Sequence, residues 1–222
     1  MEKHLSDKIC VPVIGHNLKI FLDNLGKVQK VTNWVELRVD FLEKISEKDL
    51  VIIKKNLKIK AILTLSFCHP RLISISNLAR KAFELGFDLV DVDLETVEKE
   101  NIIFNEEERK HLIISHHEFK KTPSKVKLKR IISCIKKHNP RVIKISTMIE
   151  TETDNLRLIE LMIDRKISQE KIIIGMGEKG KITRVMGPLF GNLLTFASLG
   201  KNKTAKGQIE ISKLKQIYKL IN

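Results

Sequence analysis

Short apolar runs typical of β-strands alternate with longer helical patterns along the whole 222-residue chain, and this alternation limits the possible folds most strongly. The candidate strands are Lys8–Ile14, Trp34–Phe41, Ala61–Phe67, Leu89–Glu95, His111–Glu118, Arg141–Thr147, Lys171–Met176 and Leu193–Ser198. The candidate helices are Asn17–Val28, Glu47–Asn56, Leu72–Leu85, Lys125–Lys137, Glu152–Arg165, Thr183–Gly191 and Gln208–Ile221. The pattern of Val97–Lys110 is weaker and is compatible with a short helix.

No linker, low-complexity tract or internal repeat divides the sequence. Eight β units, each followed by a helical stretch, favour a closed barrel over an open doubly wound sheet. We therefore predict an α/β fold, a single-domain (β/α)8 TIM barrel with parallel strands that spans residues 1–222.

Several candidate strands alternate polar with apolar residues, although parallel strands that are buried on both faces are normally apolar throughout. An antiparallel sheet with one wet face would alternate in the same way, but the intervening helices argue against it. In a barrel the polar face lines the lumen, where charges are tolerated if they pair or contact a ligand. We therefore predict an active site formed by the following polar set: Glu36, Arg38, Asp40, Thr64, Ser66, Asp91, Asp93, Glu95, Lys144 and Ser146.

Lys144 is the lone charge in the run Val142–Thr147 and shares the lumen face with Val142 and Ser146. Burial disfavours an ammonium ion and is expected to lower its pKa. An uncharged lysine amine can attack a carbonyl and form a Schiff base. The alternative is a lysine that snorkels to the end of its strand without a chemical role.

His116 and His117 are neighbours on a strand, so they point to opposite faces and cannot readily share a metal ion. His117 shares its face with Ile113 and Ser115, which we place toward the lumen, while His116 faces the helices. A histidine at the carboxyl end of a strand, followed one strand later by a lumen lysine, is a candidate general acid–base. The alternative is a hydrogen-bonded structural histidine.

The composition argues against several other classes of protein. The net charge of +14 suggests nucleic acid as a partner. However, the lysines are scattered along the chain, and aromatic residues, on which bases could stack, make up only 5% of it. No apolar run reaches the length of a membrane span, and the start of the chain lacks a signal-peptide pattern. Cys10, Cys68 and Cys134 have no metal-ligand spacing, so we expect reduced thiols in a cytoplasmic protein and no bound metal. Taken together, these observations predict a protein that binds neither nucleic acid nor a membrane.

The segment Gly175–Gly180 satisfies the pattern GxGxxG, and with Lys181 it also satisfies GxxxxGK. A dinucleotide site would need an acid about 20 residues later, and a P-loop would need Ser or Thr where Ile182 stands. These glycines are better explained as a turn after strand 7, which could form an anion pocket with the following loop, Leu199–Gln208.

Several blocks of the sequence follow one another in order between about residue 8 and residue 210: Glu36–Asp40, Val90–Leu94, Ser115–Pro123, Val142–Ile145, Met176–Gly180, Ile182–Arg184, Phe190–Gly191, Leu194–Phe196 and Thr204–Gln208. Together these blocks resemble the type I 3-dehydroquinate dehydratase family. Ser115–Pro123 is similar to the family block S-x-H-D-F-x-x-T-P, and Val142–Ile145 is similar to its Schiff-base strand.

The resemblance implies a (β/α)8 barrel, a homodimer, and conversion of 3-dehydroquinate to 3-dehydroshikimate in the shikimate pathway without a cofactor or metal. The resemblance implies that Lys144 forms the imine and that His117 is the general acid–base, with Asp91 near it. It also implies a set of residues that bind the substrate. The substrate carboxylate is bound by Arg184, Gln208 and Thr204, and the ring hydroxyls are bound by Glu36 and Arg38.

Ser66 is the main departure, because the family usually has arginine there, followed by an acidic loop. Arg71 is a candidate to compensate for it. Milder departures are Thr204 for Ser, Glu118 for Asp and Lys206 for Pro. Two alternatives stay open at this stage: another Schiff-base barrel of the class I aldolase type, and a catalytically weakened homologue that acts as a basic binding protein.

Overall fold

We describe residues 4–65, 74–200 and 204–221 of a computed structural model of the protein. The strands are β1 Ile9–Val13, β2 Trp34–Arg38, β3 Lys60–Leu65, β4 Leu89–Asp93, β5 Leu112–Glu118, β6 Val142–Met148, β7 Glu170–Met176, β8 Thr195–Ser198 and β9 Ile209–Glu210. The helices are α1 Leu18–Val28, α2 Glu47–Asn56, α3 Ile75–Glu84, α4 Leu94–Lys99, α5 Glu106–Arg109, α6 Lys125–Lys137, α7 Glu152–Ile163, α8 Lys181–Met186 and α9 Ile211–Ile221. Short 3-10 helices occupy Leu5–Lys8, Val39–Phe41 and Glu178–Gly180.

The first eight strands pair in parallel in the order β7-β6-β5-β4-β3-β2-β1-β8. The sheet closes between β7 and the residues before β8, where Lys171 and Asn192 form a parallel bridge. The side chain of Asn192 strengthens this seam, since it accepts a hydrogen bond from Ile173 N at 3.1 Å and donates one to Ile173 O at 2.8 Å. The predicted (β/α)8 barrel is therefore confirmed.

Side-chain caps at the amino ends of the helices fix the exit angles of several strand–helix loops. Ser46 and Asp49 form a reciprocal capping box at the start of α2. Asn17 accepts a hydrogen bond from Ile20 N at 3.0 Å at the start of α1. Such caps satisfy backbone N–H groups that have no partner within the helix.

The alternation seen in the strands separates two apolar layers. Leu37, Ile143 and Ile145 belong to the large core between the barrel and its helices. The second apolar cluster lies on the opposite face of the strands, in the lumen, and it includes Ile113 and Val142. Polar residues follow these lumen residues toward the carboxyl ends of the strands. The lumen is therefore apolar toward the amino ends of the strands and charged toward their carboxyl ends.

Some predicted boundaries were wrong. β2 ends at Arg38, and Val39–Phe41 forms a 3-10 helix instead of extending the strand. Val97–Lys110 contains the end of α4 and all of α5. Helix α8 ends at Met186, earlier than predicted. Within the described ranges, no helix is long and apolar enough to cross a membrane.

Candidate active site

A cavity of about 740 Å³ opens at the carboxyl ends of the barrel strands. It is lined by the predicted site residues Glu36, Arg38, His117, Lys144, Arg184, Thr204 and Gln208, together with Thr64, Asp93, Ser146 and Phe196. It also extends toward α4 and α6, where Glu98, Arg130 and Cys134 line it. Side chains from strands far apart in the sequence therefore meet at one place, as the barrel topology requires.

Lys144 lies at the centre of the site on β6, and only 4% of the residue is exposed. Its Nζ donates a hydrogen bond to Asp91 Oδ2 at 2.7 Å and another to Glu36 Oε1 at 2.9 Å. Nζ also lies 4.9 Å from the centre of the Phe196 ring, within the range of a cation–π contact. The alternative of a lysine that snorkels to solvent is therefore wrong.

The expected charge state of Lys144 was also wrong. Burial alone would lower its pKa, but the charges and hydrogen bonds of Asp91 and Glu36 outweigh that effect and raise the pKa above the ordinary lysine value. The resting lysine is therefore an ammonium ion within a buried carboxylate pair. The reactive amine forms only after Nζ of Lys144 loses a proton.

The acid beside His117 is Asp93, not Asp91. His117 Nδ1 lies 3.4 Å from Asp93 Oδ1, whereas Asp91 pairs with Lys144. The two carboxylates lie on the same face of β4. Asp93 is one pleat nearer the carboxyl end, opposite Ser115, whereas Asp91 lies opposite Ile113, so Asp93 is the nearer of the two to His117. When Nδ1 carries the ring proton and donates a hydrogen bond to Asp93, the other ring nitrogen is unprotonated and can act as a base. The sequence pattern had placed Asp93 on the lumen face without giving it a role.

His116 lies on the opposite face of β5, as predicted, in alternation with the outer-core residue Ile114. Burial lowers the pKa of His116, and its Nε2 has no hydrogen-bond partner in the described part of the chain. It lines the extension of the cavity toward α6, together with Cys134, a half-buried free thiol. We assign neither side chain to the chemistry in the lumen.

Arg184 on α8 is a buried guanidinium without an ionic partner in the described residues. It is 2% exposed, its Nη1 makes one long hydrogen bond to Phe196 O at 3.4 Å, and its Nε has no partner within the described ranges. Burial lowers its pKa to about 10. Its backbone is fixed from two sides, since Thr195 Oγ1 and Tyr218 Oη both donate to Arg184 O, at 2.7 and 3.0 Å. The arrangement suits an anionic ligand.

Arg38, by contrast, is paired. Its guanidinium makes a bidentate contact with Asp40, with Nε–Oδ1 at 2.9 Å and Nη2–Oδ2 at 2.6 Å, and it lies 4.6 Å from the centre of the Phe41 ring. Asp40 is buried, so the pair holds Arg38 at the rim of the cavity, where it can contact a ligand without rearranging.

The loops after β7 and β8 contact each other, as the glycine pattern predicted. Gly177 N donates to Lys206 O at 3.1 Å, and a Cβ atom on Gly207 would lie only 2.1 Å from Gly177 O. Thr204 and Gln208 close the second loop, since Thr204 N donates to Gln208 Oε1 and Gln208 Nε2 donates to Thr204 Oγ1, both at 2.9 Å. Both side chains therefore line the cavity at fixed positions.

Two residues raised by the sequence, Ser66 and Arg71, lie outside the described residues, as does Cys68. In the part of the chain that the structure covers, no three His, Cys, Asp or Glu side chains are grouped to hold a metal ion.

The fold and site together define a class of protein: a (β/α)8 barrel enzyme with a lumen lysine, an adjacent histidine–carboxylate pair and a buried arginine. Comparison with known proteins identifies the family. The model of the type I 3-dehydroquinase family matches residues 9–222. The chain belongs to this family, and the sequence-based prediction of a hydro-lyase of this type is confirmed.

Individual relatives agree with the family match. The chain is 36% identical to 3-dehydroquinate dehydratase of Coxiella burnetii over 95% of this chain and 92% of that protein. It is 35% identical to 3-dehydroquinate dehydratase of Methanocaldococcus jannaschii over 96% of this chain and 99% of that one. The crystal structure of the type I enzyme from Clostridium difficile with covalently modified comenic acid superposes with a TM-score of 0.81. It is 27% identical, and the match covers 96% of this chain and 92% of that chain.

Proposed function

We propose that this chain dehydrates 3-dehydroquinate to 3-dehydroshikimate through a Schiff base on Lys144. One observation carries the proposal: Lys144, His117 and Arg184 line a single cavity at the carboxyl end of the barrel. A nucleophile, an acid–base group and an anion-binding group are the three parts that the reaction needs. The covalent ligand in the Clostridium difficile relative supports covalent chemistry in this family.

The reaction proceeds in four steps. The neutral amine of Lys144 attacks the C3 ketone, and loss of water gives an iminium ion. His117 then removes a proton from C2. The electron pair of that C–H bond forms a C2=C3 double bond, and the C=N π pair moves onto nitrogen, which gives an enamine. The enamine returns its electrons and expels the C1 hydroxyl, which leaves as water with a proton from His117. Finally, water hydrolyses the iminium and releases the product and the lysine.

The remaining side chains bind and orient the substrate. Arg184 binds the carboxylate through charge-assisted hydrogen bonds, and Gln208 and Thr204 complete that end of the pocket. Arg38 and Glu36 contact the ring hydroxyls from the opposite side. Carboxylate binding at Arg184 would satisfy a buried cation that has no ionic partner among the described residues.

Asp93 orients the catalytic histidine in this proposal. Its contact with Nδ1 favours the tautomer in which Nε2 of His117 is the base. Asp93 also stabilises the imidazolium that forms when His117 takes the C2 proton.

Borohydride trapping tests the covalent step directly. The protein is incubated with 3-dehydroquinate, reduced, digested and analysed by mass spectrometry. We expect the mass of the reduced ligand on the peptide that contains Lys144, and no adduct with Lys144→Ala. An adduct on another lysine, together with full activity of Lys144→Ala, would overturn the proposal.

The class I aldolase alternative requires a phosphate-binding site. Among the described residues that line the cavity, Arg184 and Gln208 are not accompanied by further residues of a phosphate motif, which favours a carboxylate ligand. Assays with 3-dehydroquinate and with phosphosugars would separate the two activities, and turnover by the purified protein would exclude the weakened binding protein.

A homodimer in the cytoplasm belongs to the same proposal. Helices α7 and α8 contact each other. Exposed apolar side chains on these helices and just after α8 support a subunit contact there: Leu156, Ile163, Ile182 and Leu189. Light scattering after gel filtration should give twice the mass of one chain.

A further inference from the structure

We propose that Asp91 is the proton acceptor that converts the Lys144 ammonium into the reactive amine. The inference rests on the Schiff-base function proposed above and deepens it, because it assigns a catalytic role to a second carboxylate of the lumen. His117 then acts on the substrate carbon, and Asp91 acts on the lysine nitrogen.

The inference starts from the resting state of the lysine. An ammonium nitrogen has no lone pair and cannot attack a ketone, so one proton must leave before the C–N bond forms. Lys144 is only 4% exposed, so the groups that already contact its Nζ are the nearest proton acceptors. In the described part of the chain, the carboxylates that accept hydrogen bonds from Nζ are Asp91, at 2.7 Å, and Glu36, at 2.9 Å.

Glu36 is the poorer acceptor of the two. Its Oε1 already accepts a hydrogen bond from Thr64 Oγ1 at 3.2 Å in addition to the one from Lys144. The positive charges of Lys144 and Arg38 lower its pKa despite complete burial. Arg38 remains beside Glu36 after Lys144 loses its charge, so Glu36 stays an anion.

Asp91 has a different environment. Lys144 is the cation that it contacts, and its second oxygen, Oδ1, is buried without a hydrogen-bond partner among the described residues. A buried carboxylate that faces only a neutral amine is costly, so the contact with Lys144 stabilises the Asp91 anion only while the lysine is an ammonium ion. The proton therefore moves across the shortest contact of the cluster, from Nζ to Oδ2.

The proton balance of the step closes within the site. Lys144–NH3⁺ and the Asp91 carboxylate become Lys144–NH2 and the Asp91 carboxylic acid. The amine nitrogen attacks C3, and the carbonyl π electrons move to oxygen. Asp91 returns its proton toward the departing oxygen, which also takes a second proton from the nitrogen and leaves as water. The products are an iminium N–H⁺ and an Asp91 carboxylate that pairs with it.

The arrangement of β4 fits this division of labour. Asp91 and Asp93 are one pleat apart on the same face, and they contact Lys144 and His117 respectively. One strand thus supplies a separate carboxylate to each of the two reacting side chains. No hydrogen bond joins His117 to Lys144 in the described residues, so the histidine is not in place to take the ammonium proton.

The test measures the rate of imine formation as a function of pH. Excess protein is mixed with 3-dehydroquinate and quenched with borohydride at timed intervals between pH 6 and 9, and the adduct is quantified by mass spectrometry. For Asp91→Asn we expect a rate at pH 7 that is roughly 10²–10⁴-fold lower. The rate should rise about tenfold for each pH unit, because hydroxide must then remove the proton. The wild type should show no such rise.

Asp88→Asn is the matched control. Asp88 precedes β4, and its carboxylate accepts a hydrogen bond from Ala61 N at 3.0 Å, outside the cavity lining. It should keep the wild-type rate and the wild-type pH dependence. A purely structural effect of losing an aspartate in this region would lower the rate without making it proportional to hydroxide concentration.

Glu36→Gln makes the assignment falsifiable even when Asp91→Asn does not fold. Whatever its absolute rate, Glu36→Gln should keep a pH-independent rate of imine formation, since Asp91 remains. A hydroxide-dependent rate in Glu36→Gln, or an unchanged profile in folded Asp91→Asn, would overturn the assignment while leaving the Schiff base intact. Absence of an adduct in the wild type at every pH would overturn the proposed function as well.

Discussion

Replacement of Arg184 by methionine should make the ligand-free protein more stable and the enzyme less able to bind its substrate. Arg184 is 2% exposed and forms no salt bridge in the described part of the chain. Its charge is therefore a cost to the folded protein until an anion arrives. Methionine has a similar length, carries no charge and fits an apolar environment.

The expected magnitude follows from the burial of the guanidinium. A pKa of about 10 lies far enough below the ordinary arginine value to correspond to roughly 3 kcal/mol of cost for the charged form. Relaxation and the lost hydrogen bond to Phe196 reduce the gain, so we expect about 1–3 kcal/mol and a rise in Tm of about 2–10 °C. Loss of a charge-assisted contact with the carboxylate, about 1.5–3 kcal/mol, should raise KM roughly 10- to 150-fold.

Thermal unfolding without ligand and steady-state kinetics with 3-dehydroquinate measure the two effects. Arg157→Met is the matched control, because Arg157 lies outside the cavity lining and pairs with Asp154 at 2.7 Å. Arg157→Met should lower the free energy of unfolding by up to about 1 kcal/mol, which lowers the Tm slightly, and it should leave KM unchanged.

The opposite pattern would refute the reasoning about Arg184. A lower Tm for Arg184→Met would show that the guanidinium stabilises the resting protein, and an unchanged KM would show that the carboxylate binds elsewhere.

The pH dependence of the stability gained by Arg184→Met gives a further check. The cost of a cation with a lowered pKa is fully present below that pKa, so the stability gain of Arg184→Met should persist at pH 6–8 and diminish as the pH rises above about 10.

Three further predictions follow from the same geometry. His117→Ala should reduce turnover roughly 10²–10⁴-fold, while an imine that borohydride can trap still forms. The turnover rate of His116→Ala should stay within a few-fold of the wild-type rate. The reverse result would mean that the two side chains point to the opposite faces of the strand. Lys144→Met leaves two buried carboxylates without their cation, so the free energy of unfolding at pH 8, measured by denaturant titration, should fall by about 3–5 kcal/mol. This loss of stability should become smaller toward pH 5, because a carboxylate then takes up a proton. A loss of stability that does not change with pH would contradict the ion cluster. Tyr218→Phe removes a buried hydrogen bond to Arg184 O and should cost about 1 kcal/mol in thermal unfolding, with an effect on KM smaller than that of Arg184→Met.

The pH dependence of the wild type follows from the same cluster. The pKa of Lys144 is raised on folding, so its contribution to stability is fully present below the ordinary lysine pKa and is lost only at strongly alkaline pH. The pKa of Glu36 is lowered, so its contribution is present above the ordinary carboxyl pKa and is lost in acid. We therefore expect this cluster to contribute a constant stability between pH 6 and 9.

The sequence by itself determined the architecture and the face on which each strand residue lies. Helical and strand periodicities are local, and the alternation along β2, β4 and β6 fixes which residues enter the lumen once the strands are parallel and covered by helices. For this reason the barrel and the lumen positions of Lys144 and His117 could be predicted without coordinates. The ends of the elements could not, as the 3-10 helix at Val39–Phe41 shows, because tertiary contacts decide where a strand stops.

Only the tertiary structure decided the charge state of the lysine and the division of work between the two aspartates. Lys144 is separated from Glu36 by 108 residues and from Asp91 by 53, yet its Nζ lies within 3 Å of an oxygen of each carboxylate. Electrostatic energies depend on distances between side chains and on burial, which local periodicity does not contain. The sequence could therefore place a lysine and several acids on one face of the strands. Which acid contacts which base depends on the register between neighbouring strands and on the position of each residue along its strand.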